Sequence, residues 1–165
     1  MSIALDEVNG LSREEFTRVI GPAFEHSPWI ADAAAQQRPF PNRADLHAAM
    51  CAIVHTAGEE KQLALMRAHP DLVGRVVLTA ESNREQSAAG LMQLTPDEVA
   101  LFNRYNTEYK SRFGFPFIIC ARKNKKEAIL GAFPVRLQNS REAEIRTALD
   151  QIFQIAELRL ADLIP

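Results

Sequence analysis

Between residues 145 and 163, apolar side chains recur at the 4-3-4 spacing of one helical face: Ile145, Leu149, Ile152, Ala156 and Leu163. A run with that period folds as a long amphipathic helix, and its stripe has to be covered by other parts of the chain. Arg159 falls on the same stripe, between Ala156 and Leu163. A guanidinium turned toward a core requires an anionic partner or a polar cavity, because an unpaired buried charge is very costly. Either Arg159 escapes to solvent at the helix end or pairs with an internal acid, or it is kept for a ligand. In the ligand case an aliphatic residue at 159 should damage function more than folding.

The covering elements read as helices too. Ser12 with Glu15 forms a capping-box pattern, and Gly21-Pro22 ends that helix. Ser27-Pro28 predicts a second start that runs toward Pro39 and Pro41. Asn42 opens a third helix, with Leu46, Met50, Ile53 and Ala57 on one face and Gly58 at its end. Leu63, Leu65 and Met66 carry a fourth toward Ala68. After a short apolar connector, Val73 to Thr79, Ser82 predicts a cap with Glu85 at the third helical position. Thr95-Pro96-x-Glu98 opens the next helix, which stops at Gly114. A helix from about Lys125 is interrupted near Pro134, and Ser140 starts the last.

The stretch 115–121, Phe-Pro-Phe-Ile-Ile-Cys-Ala, breaks this rhythm. An internal proline would forfeit a ladder bond in a central strand, so the run reads as a buried extended segment. The expectation is an all-α fold, a single-domain bundle of seven to eight helices over residues 1–165.

The charge balance is near neutral, −2 overall, which argues against a dedicated nucleic-acid surface. The basic run Arg122-Lys123-Asn124-Lys125-Lys126 reads as a solvated loop and helix start. No stretch is apolar enough for a membrane span, and the acidic N-terminal stretch is no signal peptide. Cys51 and Cys120 make no disulfide framework. A cytoplasmic location is the expectation.

His69 immediately precedes Pro70, and the residue before a proline is pushed out of the α region. Its imidazole should therefore project from a constrained helix end. Glu85 follows by sixteen positions, far enough for the chain to fold back, and a carboxylate-steered imidazole is poised for proton transfer near neutral pH. Each residue has a plainer explanation: histidine suits a helix C-terminus, Ser82-x-x-Glu85 needs only to be a capping box, and Gln86 could be a surface amide. The combination of histidine, acid, amide and core-facing arginine beside an unusual apolar segment favours chemistry. His47, Cys51 and His55 share one helical edge and are the competing metal set. A boundary of partly buried residues explains them as well, and no fourth ligand is evident, so no metal is assigned. No phosphate loop, Cys-x-x-Cys or Gly-x-Ser-x-Gly occurs.

Three stretches resemble the family of 2-oxo-4-hydroxy-4-carboxy-5-ureidoimidazoline (OHCU) decarboxylases. They are His69-Pro70-Asp71-Leu72; Ser82-x-x-Glu85-Gln86-x-x-Ala89-Gly90-Leu91; and the run from Phe113 to Arg122. Asn103, Tyr105 and Tyr109-Lys110 also suit it. The resemblance implies an all-α lyase of urate breakdown that needs no cofactor and turns OHCU into S-allantoin and carbon dioxide. It implies His69 as acid/base, with Glu85 and Arg159 completing the catalytic set. Pro70, Ser82, Gln86, Phe117, Ile119 and Ala121 match substrate-binding positions. A homodimer is implied by analogy, and the substrate is the one small-molecule partner, with no nucleic acid or membrane. The reading from another class is a helical binding module for a small anion, which would use Arg159 as its receptor.

Overall fold

The computed structural model describes residues 2–74 and 78–165. Among the described residues there are nine α-helices and no strand: α1 Leu5–Gly10, α2 Arg13–Ile20, α3 Trp29–Ala34, α4 Arg43–Thr56, α5 Glu59–Arg67, α6 Ala80–Ala88, α7 Pro96–Phe113, α8 Lys126–Leu137 and α9 Arg141–Leu163. The all-α expectation holds, with more helices than the start signals gave. The extra one, α1, has Ala4 at its N-cap and no capping side chain, and only the acids Asp6 and Glu7 in its first turn mark its start. No described helix is long and apolar enough to cross a membrane.

The chain forms two compact units, one of Met1–Ala68 with Phe153–Pro165 and the other of His69–Ile152. In the first, Phe16, Ile20, Phe24, Ile30, Leu46, Met50, Val54, Leu65 and Leu160 are fully buried. The Ser12 hydroxyl accepts from the Glu15 N–H and the Asn42 side chain from the Asp45 N–H, fixing the starts of α2 and α4 as read. On α4 the buried residue is Val54, where the periodicity had placed Ile53. Ser27 does not cap α3. Its hydroxyl donates to the Glu25 carbonyl at 2.9 Å, and the helix begins after Pro28 without a side-chain cap.

In the second unit α7 is the best-built element. Thr95 and Glu98 exchange both bonds of a capping box, and Gly114 closes the helix at φ +83°, the left-handed conformation that glycine takes without a steric penalty. The segment that follows is helix-free and buried from Phe115 through Cys120, and Ala121 opens a single 3-10 turn. The expected buried segment is therefore present.

Its anchor is a buried polar network. Tyr109 donates its hydroxyl to Glu144, which also accepts from Arg136 Nε at 2.9 Å and Asn139 Nδ2 at 2.8 Å. Arg136 then donates through Nη1 to the Ile118 carbonyl at 2.6 Å, and its guanidinium lies 4.2 Å over the Phe117 ring. Phe117 stacks in turn on Phe133 with centroids 3.8 Å apart. Burial, with the Glu144 bond adding to it against Arg136, holds the Tyr109 hydroxyl far above the usual phenol range. The same anchors explain why α8 runs unbroken through Pro134, where an interruption was expected. An internal proline costs a helix about 3 kcal/mol, and the buried Ile129, Phe133 and Arg136 on either side of it hold both halves in place.

Candidate active site

His69 opens the second unit, just past the end of α5 at Arg67. The helix is closed by the Ala68 N–H, which returns to the Ala64 and Leu65 carbonyls. The histidine is half-buried, and its Nε2 is shielded from solvent. The next residues make a turn in which the Gly74 N–H donates to the Asp71 carbonyl at 3.3 Å. A Cβ at Gly74 would meet the Asp71 carbonyl oxygen at 3.1 Å and the Asp71 Cβ at 3.2 Å, so any larger residue would push the turn open by a few tenths of an ångström. Val73, in the turn's third place, has φ +59°. A β-branched residue in the left-handed region is a genuine outlier, costs on the order of 1–3 kcal/mol, and persists only where its surroundings over-determine it.

The surroundings do so at three successive residues. Asp71 pairs with Lys110 Nζ at 2.7 Å, the Leu72 carbonyl accepts from Asn106 Nδ2 at 2.8 Å, and the Val73 N–H donates to Gln86 Oε1 at 3.1 Å. Residues 75–77 of the expected connector lie outside the described residues.

The α6 helix starts three residues earlier than the capping pattern placed it. Thr79 is the cap, its hydroxyl accepting from the Ser82 N–H at 3.1 Å. Ser82 is therefore inside the helix and Glu85 one turn further on, so a capping box no longer accounts for either. Both are buried, Ser82 at 5% exposure and Glu85 at 9%, and so is Gln86 at 4%. With Ala89 they line one face, and the helix packs against the turn Ala121–Lys123. The Cys120 thiol is raised chiefly by burial, and the charge of Glu85 adds to the rise, which puts the carboxylate within electrostatic reach of the buried segment.

That segment spends only alternate peptide groups on the protein. The Ile118 carbonyl takes Arg136, the Cys120 N–H donates to Gln151 Oε1 at 2.8 Å, and the Cys120 carbonyl accepts from Asn124 Nδ2 and the Lys123 N–H. Among the described residues, nothing hydrogen-bonds to the N–H or carbonyl of Phe117 and Ile119, or to the N–H of Ala121. These are the residues singled out from the sequence as substrate-binding.

Arg159 belongs to the first unit and is 4% exposed, on the core stripe as read. Its Nη2 pairs with Glu25 Oε2 at 3.0 Å and its Nη1 donates to the Pro22 carbonyl at 3.0 Å. Glu25, itself 1% exposed, is the internal acid that the stripe called for. Nothing local in the sequence marked it, since it stands alone between Phe24 and His26.

His47, Cys51 and His55 also lie in the first unit. His47 Nε2 is 2.8 Å from the Phe153 carbonyl, Cys51 Sγ is 3.4 Å from the same nitrogen, and the His55 ring packs edge-on to Phe153. Burial, with the charge of Glu157 adding to it, raises the Cys51 thiol to about 12. Among the described residues no group of three or more histidines, cysteines and acids could hold a metal ion. A cleft of about 400 Å³, lined by Asn42, Arg43, Ala44, His47, Glu157 and Leu160, contains none of the expected catalytic or substrate-binding residues.

The sequence of residues 9–161 matches the profile of a family described as OHCU decarboxylase. A 2-oxo-4-hydroxy-4-carboxy-5-ureidoimidazoline decarboxylase of Haloferax volcanii is 42% identical over 160 residues, covering 97% of this chain and 95% of its own. A protein of the same name from Amia calva is 43% identical over 162 residues, 96% of this chain and 93% of its own. Among solved structures, a crystal structure of (S)-allantoin synthase superposes with a TM-score of 0.82 at 30% identity, and matches 99% of this chain to 54% of that one. A half-buried histidine, a buried serine, acid and amide, a helix-free segment with unspent peptide groups, and a family profile matched over residues 9–161 with identity above 40% over nearly the whole chain together place this protein in the OHCU decarboxylase family.

Proposed function

We propose that this protein decarboxylates OHCU to S-allantoin with His69 as the acid/base, and that it does so without a metal or organic cofactor. The observation that carries the proposal is the burial of Ser82, Glu85 and Gln86 inside α6. Buried polar groups are tolerated only where they are bonded, so that face of the helix is turned to polar neighbours or a polar ligand and not to an apolar core.

The substrate supplies its own electron sink. As the bond from C4 to the carboxylate breaks, its electron pair moves into the C4–C5 bond while the adjacent C=N electrons move onto the ring nitrogen, which takes up a proton. Loss of the 4-hydroxyl proton then makes the carbonyl, and a proton delivered to C5 on one face gives the S product. Orientation, charge stabilisation and controlled protonation are what the protein has to add. His69 is the group that exchanges protons with the 4-hydroxyl and C5. Glu85 orients and supports the imidazole. The unspent peptide groups of Phe117, Ile119 and Ala121 suit the donors and acceptors of the ureido ring, and Pro70, Ser82 and Gln86 border it. The apolar run from Phe115 to Ile119 excludes water, which favours loss of a carboxylate. Arg159, whose guanidinium is fixed by Glu25 and the Pro22 carbonyl, is the rigid cation for the substrate's anionic oxygens.

The test is a coupled assay. Urate is fed to urate oxidase and hydroxyisourate hydrolase with and without this protein, while OHCU absorbance and the optical rotation of allantoin are followed. Rapid OHCU loss with optically active S-allantoin supports the proposal. Slow decay to the racemate in both arms would contradict it.

A further inference from the structure

We propose that Asn106 on α7, seconded by Lys110, is a positioning residue for His69. The inference rests on the assignment of His69 as the acid/base. The two α7 residues are one helical turn apart, so their side chains share a face, and they grip consecutive residues of the turn after the histidine: Lys110 holds Asp71 at 2.7 Å and Asn106 holds the Leu72 carbonyl at 2.8 Å. Only Pro70 stands between Asp71 and His69. Its ring fixes its own φ and also narrows the conformations open to His69, so holding Asp71 and Leu72 holds the histidine backbone.

The support is stiff. α7 has a complete capping box at one end and a left-handed glycine at the other, and Tyr109 between the two grips is fully buried in the Glu144–Arg136 network. A turn with a left-handed valine stays in place only under such constraint. Among the described residues that grip is the one hydrogen bond the Asn106 side chain makes. The residue is 5% exposed, and its Oδ1 is buried and accepts no hydrogen bond from any described residue. A position chosen for stability alone would carry leucine there.

The experiment uses the full chain with Asn106→Asp, which keeps the shape and turns the donor into an acceptor, together with Asn106→Leu and Lys110→Met. OHCU turnover gives kcat and KM, circular dichroism reports folding, and imidazole NMR follows the protein's four histidines, with the His69 signal identified by its loss in His69→Ala. The expected result in folded Asn106 variants is a fall in kcat of tenfold to a hundredfold, KM within threefold of wild type, and a shift of the His69 signal alone. Lys110→Met should give a smaller fall of the same kind. Folded variants that keep kcat within threefold, or lose it while the His69 signal stays put, would overturn the inference. Failure of the underlying assignment would look different: wild-type protein would not turn OHCU over, or His69→Ala would.

Discussion

Arg159 and Glu25 form a buried ion pair at 3.0 Å, with both side chains almost wholly out of water. This pair reverses the expectation that an aliphatic residue at 159 would spare the fold. Removing one member leaves the other buried and uncompensated, a loss on the order of 3–5 kcal/mol. Arg159→Leu should therefore unfold at much lower urea. The double variant Glu25→Leu/Arg159→Leu removes both charges and should recover most of that stability, since replacing a whole buried pair by apolar groups is often neutral or better. If the guanidinium serves the substrate, the double variant folds yet turns OHCU over at least a hundredfold more slowly. Arg159→Lys should also be poor, because an ammonium lacks the planar fork. An active double variant would make Arg159 purely structural.

The Glu144 carboxylate collects Tyr109, Arg136 and Asn139, and through Arg136 it fixes the Ile118 carbonyl. Glu144→Gln strands the buried Arg136 charge and should cost about 3–5 kcal/mol in urea unfolding. Tyr109→Phe removes one bond to a charged group and should cost about 1.5–3 kcal/mol. Equal, small effects of the two would show that the network does not anchor the segment.

Burial raises both thiols, Cys51 to about 12 and Cys120 in the same direction. The reactive species is the thiolate. A thiol with pKa near 12 is ionised only to about one part in ten thousand at pH 8, against about a quarter for an ordinary cysteine near 8.5. Raising the pH toward 10 should speed alkylation without making it fast. In the folded protein at pH 8 iodoacetamide should label neither residue within the time that labels both in urea, as read by mass spectrometry. Prompt labelling of Cys120 in the native state would mean that the 115–121 segment is open to solvent.

Most of the helices were legible because their signals are local: Asn42, Thr95-x-x-Glu98, Gly114 and Ser140 each act within a turn of where they stand. The helix-free run at 115–120 was legible from one proline in an apolar stretch. Boundaries went astray where a competing local bond won. Thr79 outcompeted Ser82 for the α6 cap, and Ser27 turned back to the Glu25 carbonyl. Pro134 misled because tertiary anchors outweigh a local penalty. At the site, the stripe announced that Arg159 would be buried but could not say against what, since Glu25 lies 134 positions away. Asn106 was invisible for the same reason: its partner is a backbone carbonyl 34 residues distant, and a carbonyl has no sequence signature.

The central claim is that His69 carries the proton transfers, and His69→Ala tests it most directly. The imidazole sits past a helix end and is only half-buried, so the variant should keep the circular dichroism and urea midpoint of the wild type. Loss of a general acid/base is worth about 10²–10⁴-fold. In the coupled urate assay the folded variant should therefore lower kcat by at least a hundredfold, and OHCU should decay to racemic allantoin. A folded His69→Ala protein that still produces S-allantoin at near wild-type rate would contradict the account.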